Sequence, residues 1–130
     1  MTVLLDTHCW LWWISYPFRL NDEARRIITN RQNIVYFSVA STWEIAIKYA
    51  VKKLRFPEIP EEFMPRRLSR DGIIPLPISL QHALRVASLP HHHRDPFDRL
   101  LVAQARVEGI PLLTADARLS AYEVQIIRAD

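Results

Sequence analysis

A chain of 130 residues, 49% of them hydrophobic, can bury a real core and matches the usual size of one domain, so residues 1–130 are expected to fold together. The single cysteine, Cys9, excludes an internal disulfide framework. No apolar run approaches the ~20 residues that cross a bilayer, and no basic region precedes a hydrophobic stretch at the N-terminus, so a soluble protein of the reducing cytoplasm is expected. Seventeen Lys and Arg against 14 Asp and Glu give a formal charge of +3, compatible with a polyanionic partner without requiring one.

Thr2 to Leu5 is a short apolar run without helical period and predicts a buried strand. From Thr7, the spacing of Trp10, Leu11, Trp13 and Ile14 predicts a helix ending before Pro17; its aromatic stretch Trp10 to Trp13 suits core or dimer-interface packing. Asn21-Asp22-Glu23 opens a second helix with Ala24, Ile27 and Ile28 on one face. Ile34 to Phe37 is rich in β-branched and aromatic residues and predicts the next strand.

Helical spacing returns from Ser41 through Val51, and Pro57 and Pro60 close it. Glu61 to Arg70 reads as a short basic helix whose Arg66, Arg67 and Arg70 either guide a polyanion or are ordinary surface charge. The prolines in Ile73 to Ile78 confine that extended segment to an edge or an irregular stretch. Ser79 caps a helix running to Ser88, a loop covers Leu89 to Arg94, and Asp95 and Pro96 open a strong helix that Gly109 closes. Pro111 to Leu113 and Val124 to Ile127 complete the strands. Short apolar strands alternating with helices predict an α/β fold with a mostly parallel sheet covered on both faces.

Four acids fall where strands hand over to helices: Asp6, Glu44, Asp98 and Asp116. Each has an ordinary structural reading. Ser41-Thr42-Trp43-Glu44 is a capping box, Asp95-Pro96-Phe97-Asp98 places acids at a helix start, and Asp116 can cap Ala117 to Ser120. Together they read differently, because in open α/β sheets ligands bind beyond the carboxyl ends of the strands. Clustered carboxylates repel one another unless a cation neutralises them, and oxygen-only ligands point to Mg²⁺ or Mn²⁺ and away from zinc. Setting these four acids aside leaves 10 against 17 bases, an excess that favours a polyanionic substrate. His91-His92-His93 reads as a solvent-facing loop near the site, with phosphate contact or a weak metal site as the alternatives; His8 and His82 read as packing or surface histidines.

Val3-Leu4-Leu5-Asp6-Thr7-His8, Ser38 to Ile45, His93 to Arg99 and Leu113-Thr114-Ala115-Asp116 resemble, in order, the four motifs of PIN-domain nucleases, most closely the VapC-like toxins of toxin-antitoxin pairs. The resemblance covers nearly the whole chain. It implies a three-layer α/β/α fold with a central parallel sheet and divalent-metal-dependent hydrolysis of RNA phosphodiester bonds. It further implies Asp6, Glu44, Asp98 and Asp116 as catalytic metal ligands, with Asp95 as a fifth member ranked below Asp98. Thr7 and Thr114 become hydroxyl partners that orient a carboxylate or a coordinated water. Arg94 and Arg99, flanking the third motif, become candidate RNA contacts, a solvated or salt-bridged role being the other reading. A small antitoxin protein is the implied partner and a homodimer the implied assembly. The rival readings are a non-catalytic nucleic-acid-binding module of the same fold and phosphatase-like chemistry on small phosphoesters.

Overall fold

In the computed structural model, which describes residues 1–130, Thr2–Leu5 (β1) lies at the centre of a five-stranded sheet. Ile34–Ser38 (β2) pairs on one side of it and Leu112–Thr114 (β4) on the other. Ile74–Leu76 (β3) extends the sheet beyond β2, and Ile126–Arg128 (β5) beyond β4. Every pairing is parallel. Pro75 sits in β3 at the sheet's edge, where a missing N–H costs least.

The strand residues alternate between two cores, as the two-residue period of a strand requires. Val3, Leu5, Val35 and Phe37 join a cluster with Thr7–Ser15 (α1), Asp22–Thr29 (α2), Val39–Ala50 (α3) and Pro60–Asp71 (α4). Leu4 and Leu112 join a second cluster formed chiefly with Pro96–Glu108 (α6), against which Leu80–Arg85 (α5) also packs. The result is the expected three-layer α/β/α sandwich. Trp10 is fully buried, its ring 5.1 Å from that of Phe37, so the core takes this residue and a dimer interface cannot. Trp12 and Trp13 are half-buried against the same cluster. No helix is long and apolar enough to cross a membrane.

One boundary differs from expectation in a way that matters for the site. The third helix begins at Val39, directly after β2, because the Ser38 side chain caps it by accepting from the Ala40 N–H at 3.0 Å. Ser41 therefore lies inside the helix, and Glu44 is not the closing member of a capping box. The start of α6 is as expected. Asp95 caps it, accepting from the N–H groups of Phe97 at 2.9 Å and Asp98 at 3.4 Å, and Gly109 ends it at φ 67°, a left-handed conformation that favours glycine.

The register brings the carboxyl ends of the central strands level. Leu5 stands opposite Phe37 on one side and Leu113 on the other, so the chain leaves β1 at Asp6, β2 at Ser38 and β4 at Thr114 along one edge. Chain progression runs outward in opposite directions from β1 and β4, and ligands of open parallel sheets bind at such a reversal.

Candidate metal centre at the carboxyl end of the sheet

Asp6 follows the last residue of β1 and is 3% exposed. Its Oδ2 accepts from the Thr114 hydroxyl at 2.7 Å, while Oδ1 is buried without a partner. Burial raises the Asp6 pKa above the ordinary carboxylate range, against the opposing effect of the Thr114 hydroxyl. Thr114 also accepts from the Asp116 N–H at 3.0 Å, so one hydroxyl ties the ends of β1 and β4 together.

Glu44 projects from the second turn of α3 and is 4% exposed. Lys48, one turn along the helix, reaches its Oε2 at 2.8 Å, whereas Oε1 is buried without a partner. The glutamate thus repeats the pattern of Asp6, with one oxygen satisfied and one left over.

Asp98 lies one turn into α6, and it is where the acids converge. Burial first, then the negative charges of Asp6, Asp95, Glu44 and Asp116, push its carboxyl up to about 7. Four acids drawn from four separate stretches of chain therefore act on one carboxylate. Asp116 behaves oppositely. Arg118 grips it through Nε at 3.0 Å and a terminal nitrogen at 2.9 Å, and these hydrogen bonds, ahead of every other influence, lower its pKa to about 2.

His93 completes the cluster, and nothing in the sequence singled it out from His91 and His92. Its side chain is only 8% exposed, with Nε2 3.2 Å from Asp98 Oδ2 and 3.5 Å from Asp116 Oδ2. His91 and His92 are exposed, so the solvent-facing reading of the triple histidine holds for those two and fails for His93. Ligand atoms of His93, Asp98 and Asp116 all lie within 4.8 Å of one another. Asp6 and Glu44 are outside that triad, though both their charges reach Asp98. Arg118 escaped sequence reasoning too, since an arginine two residues after an acid is commonplace.

The donor set fits a hard divalent cation. Two buried carboxylate oxygens lack partners, and a third carboxyl is held near neutrality by surrounding negative charge; a divalent ion relieves both conditions at once. Asp95 fits less well as a ligand, because its Oδ1 is engaged by two backbone N–H groups of α6.

Two further expectations need correction. Arg99 is 8% exposed and donates to the carbonyls of Pro90, Val86 and Leu89 and to the Tyr122 hydroxyl, at 2.8 to 3.3 Å. It pins the preceding loop onto α6 and has no free face for RNA. Thr7 donates to the Ser41 hydroxyl at 2.7 Å and not to a carboxylate, because the first turn of α1 turns that side chain toward α3; its backbone N–H supports Asp6 instead. Of the helix arginines, Arg66 pairs with Glu58 and Arg67 with Asp71, which favours ordinary surface charge for both. Arg94 is exposed and lines a recess of about 310 Å³ with His91, His92, His93 and Arg118.

The PIN domain family model matches residues 3–125. This chain belongs to the PIN-domain family. Ribonuclease VapC22 of Mycobacterium tuberculosis is 30% identical over 122 residues, covering 93% of this chain and 92% of that protein. Ribonuclease VapC16 of the same organism is 39% identical over 61 residues, a match spanning 47% of this chain and 43% of that protein. Among solved structures, VapBC2 from Rickettsia felis bound to a promoter DNA fragment superimposes with a TM-score of 0.77 at 17% identity, covering both chains fully. DNA-bound VapBC from Salmonella typhimurium gives 0.68 at 19% identity over 98% of each chain. The acidic cluster occupies the carboxyl end of this PIN-domain sheet, and its partnerless oxygens belong to Asp6 and Glu44 of the first two motifs.

Proposed function

We infer that this PIN-domain chain is an endoribonuclease, a hydrolase of RNA phosphodiester bonds and the toxin of a VapBC-type toxin-antitoxin pair, acting as one nuclease domain over residues 1–130 in the cytoplasm. The observation that carries the reading is the convergence of Asp6, Glu44, Asp95 and Asp116 on Asp98, in a chain whose full-length relative is a ribonuclease.

Asp6, Glu44, Asp98 and Asp116 would hold Mg²⁺, or Mn²⁺ in its place. When bound, the ion lowers the pKa of a water molecule and neutralises charge on the scissile phosphate. The protein's own part is positional. Thr114 engages Asp6 Oδ2 and leaves Oδ1 free for an ion, and Lys48 does the same for Glu44 by engaging Oε2. Asp95 holds the start of α6, which sets where Asp98 stands. Arg94 and Arg118, exposed beside the acids, supply positive charge for RNA phosphates.

An antitoxin tail would occupy the groove of about 310 Å³ between α3 and α4, lined by Val39, Ala46, Met64 and Leu68 among others. Homodimerisation, expected from the family, has a candidate face on α3, where Trp43 and Ile47, with Val51 just past the helix end, recur every fourth residue and are all exposed.

Purified protein should cleave single-stranded or structured RNA with Mg²⁺ or Mn²⁺, and should lose that cleavage in EDTA and in Asp98→Asn prepared identically. Cleavage that survives both changes would mark a contaminant and overturn the assignment. Metal binding without cleavage of any RNA would point to a highly selective target, and the absence of metal binding as well would favour the non-catalytic nucleic-acid-binding module.

A further inference from the structure

We propose that His93 is a catalytic residue of this site, donating a hydrogen bond from Nε2 to a non-bridging oxygen of the scissile RNA phosphate, and that it is not a metal ligand. The proposal rests on the ribonuclease reading above. Proximity alone would make His93 a ligand, since its Nε2 is within 3.5 Å of two candidate metal carboxylates. The other ring nitrogen decides otherwise.

Nδ1 accepts a hydrogen bond from the backbone N–H of Asp95 at 3.0 Å. That bond uses the Nδ1 lone pair, so the proton of the ring is on Nε2. A nitrogen carrying a proton has no lone pair for an ion. Moving the proton to Nδ1 would set it against the Asp95 N–H, with two donors facing each other. The Asp95 amide in turn precedes Pro96, the first residue of α6, so the loop-to-helix junction itself fixes the tautomer.

The Nε2–H is also unspent. It lies near both carboxylates but meets neither in hydrogen-bond geometry, and it is buried. A buried donor aimed between two acids lacks an acceptor, and leaving one unpaired costs about 1–3 kcal/mol. His93 also lines a recess with His91, His92, Arg94 and Arg118, where the two arginines attract a phosphate and repel a second metal ion. Nε2 itself has no exposed surface, so a phosphate oxygen would reach its N–H only as the acids in front of it draw apart onto an ion, with no change of tautomer. A preorganised donor at the position where negative charge develops acts on the transition state more than on binding.

Two substitutions separate the ring's two contacts. His93→Asn keeps an acceptor near the Nδ1 position and removes the donor; His93→Gln places an amide N–H near the Nε2 position. The expected result for Asn is a kcat for RNA cleavage lower by about 100-fold, the usual loss for one such donor, with KM changed by less than about threefold. Mn²⁺ binding to the RNA-free protein should shift by less than about twofold, because no ligand is lost. Gln should recover at least about tenfold of the rate.

Nitrogen-15 shifts of the His93 ring in the wild-type protein give a readout independent of any variant's folding. Nε2 should stay protonated when Mg²⁺ is added. Loss of that proton, or weaker Mn²⁺ binding in His93→Asn in step with the rate, would make His93 a ligand and overturn the proposal. Wild-type rates in a folded His93→Asn would overturn it while leaving the nuclease assignment standing. A wild-type protein that neither binds Mn²⁺ nor cleaves any RNA would sink both.

Discussion

Thr114 donates its hydroxyl to Asp6 across 2.7 Å, joining residues 108 positions apart in the chain. The same oxygen receives the Asp116 N–H, so Thr114 sets one candidate ligand and steadies the backbone of another. Thr114→Val, close in shape but without the hydroxyl, leaves a fully buried Asp6 oxygen and the Asp116 N–H unsatisfied. It should destabilise the fold by about 1–3 kcal/mol. Mg²⁺ affinity should weaken by about 10- to 100-fold, as for other groups that orient ligands. Thermal melts and calorimetric metal titration measure the two effects, and unchanged metal affinity would show that Asp6 needs no orienting partner.

Asp98 makes the metal-free protein sensitive to pH in a direction opposite to that of a salt-bridged carboxylate. Its folded pKa of about 7 lies above the ordinary aspartate value of 3.8, so between the two the folded state holds a proton that the unfolded chain has lost. Stability from this group is fully present below about pH 4, falls as pH rises through 7 and is then flat. Asp6, also raised, adds to the same trend. In EDTA, Asp98→Asn should therefore melt above the wild type at pH 8 by several degrees, with ~1 kcal/mol corresponding to about 4 °C in a domain of this size. The two should converge near pH 4. Parallel curves across that range would show that Asp98 is not held protonated.

A cation must displace that proton, which links metal affinity to the same group. Below pH 7, Mg²⁺ affinity should fall by about tenfold per pH unit, and the slope should flatten above pH 7. Calorimetry in two buffers of different ionisation enthalpy would count the proton released. Release of none at pH 6 would contradict the assignment of Asp98 as a ligand.

Arg118 engages both oxygens of Asp116 and so competes with an ion for them. Its own side chain is 71% exposed, which makes replacement structurally cheap. Arg118→Gln should raise the Asp116 pKa from about 2 toward its ordinary value and tighten Mg²⁺ binding by a few-fold, since one positive charge leaves the site. RNA binding should weaken, with a shallower dependence on salt. Looser metal binding in this variant would mean that Arg118 holds Asp116 in a binding-competent position.

Arg99 belongs to the fold. Removing its guanidinium in Arg99→Leu strands the carbonyls of Val86, Leu89 and Pro90 at the base of the loop that carries His93. A loss of about 2–4 kcal/mol is expected, while the salt dependence of RNA affinity at a temperature where the variant is folded stays the same. A reduced salt slope would restore Arg99 as a phosphate contact.

The sequence alone determined the sheet and the position of the acids along it. Short apolar runs such as Val3-Leu4-Leu5 are buried on both faces and admit few other readings, and Asp95-Pro96 before an amphipathic stretch marks a helix start by local chemistry. Because strands of a parallel sheet all point one way, residues just past their ends had to share an edge. Asp6 and Asp116 were legible for that reason; Glu44 stands in the second turn of α3, and Asp98 one turn into α6, which follows a loop and no strand, so their place at this edge came from the helices.

What only the tertiary structure decided is how each side chain is spent. Ser41 to Glu44 has the spacing of a capping box, but Ser38 caps the helix earlier, because β2 runs straight into α3 and the strand's last side chain is already in place. Thr7 and Thr114 looked equivalent in sequence, yet Thr114 faces Asp6 while Thr7 faces Ser41. Arg94 and Arg99 were alike as flanking cations until the turn of α6 buried one and left the other exposed. His93 differs from His91 and His92 solely in meeting the Asp95 amide and the acids beyond it. Hydrogen-bond partners are set by direction and distance across the fold, and neither is written in the order of residues along the chain.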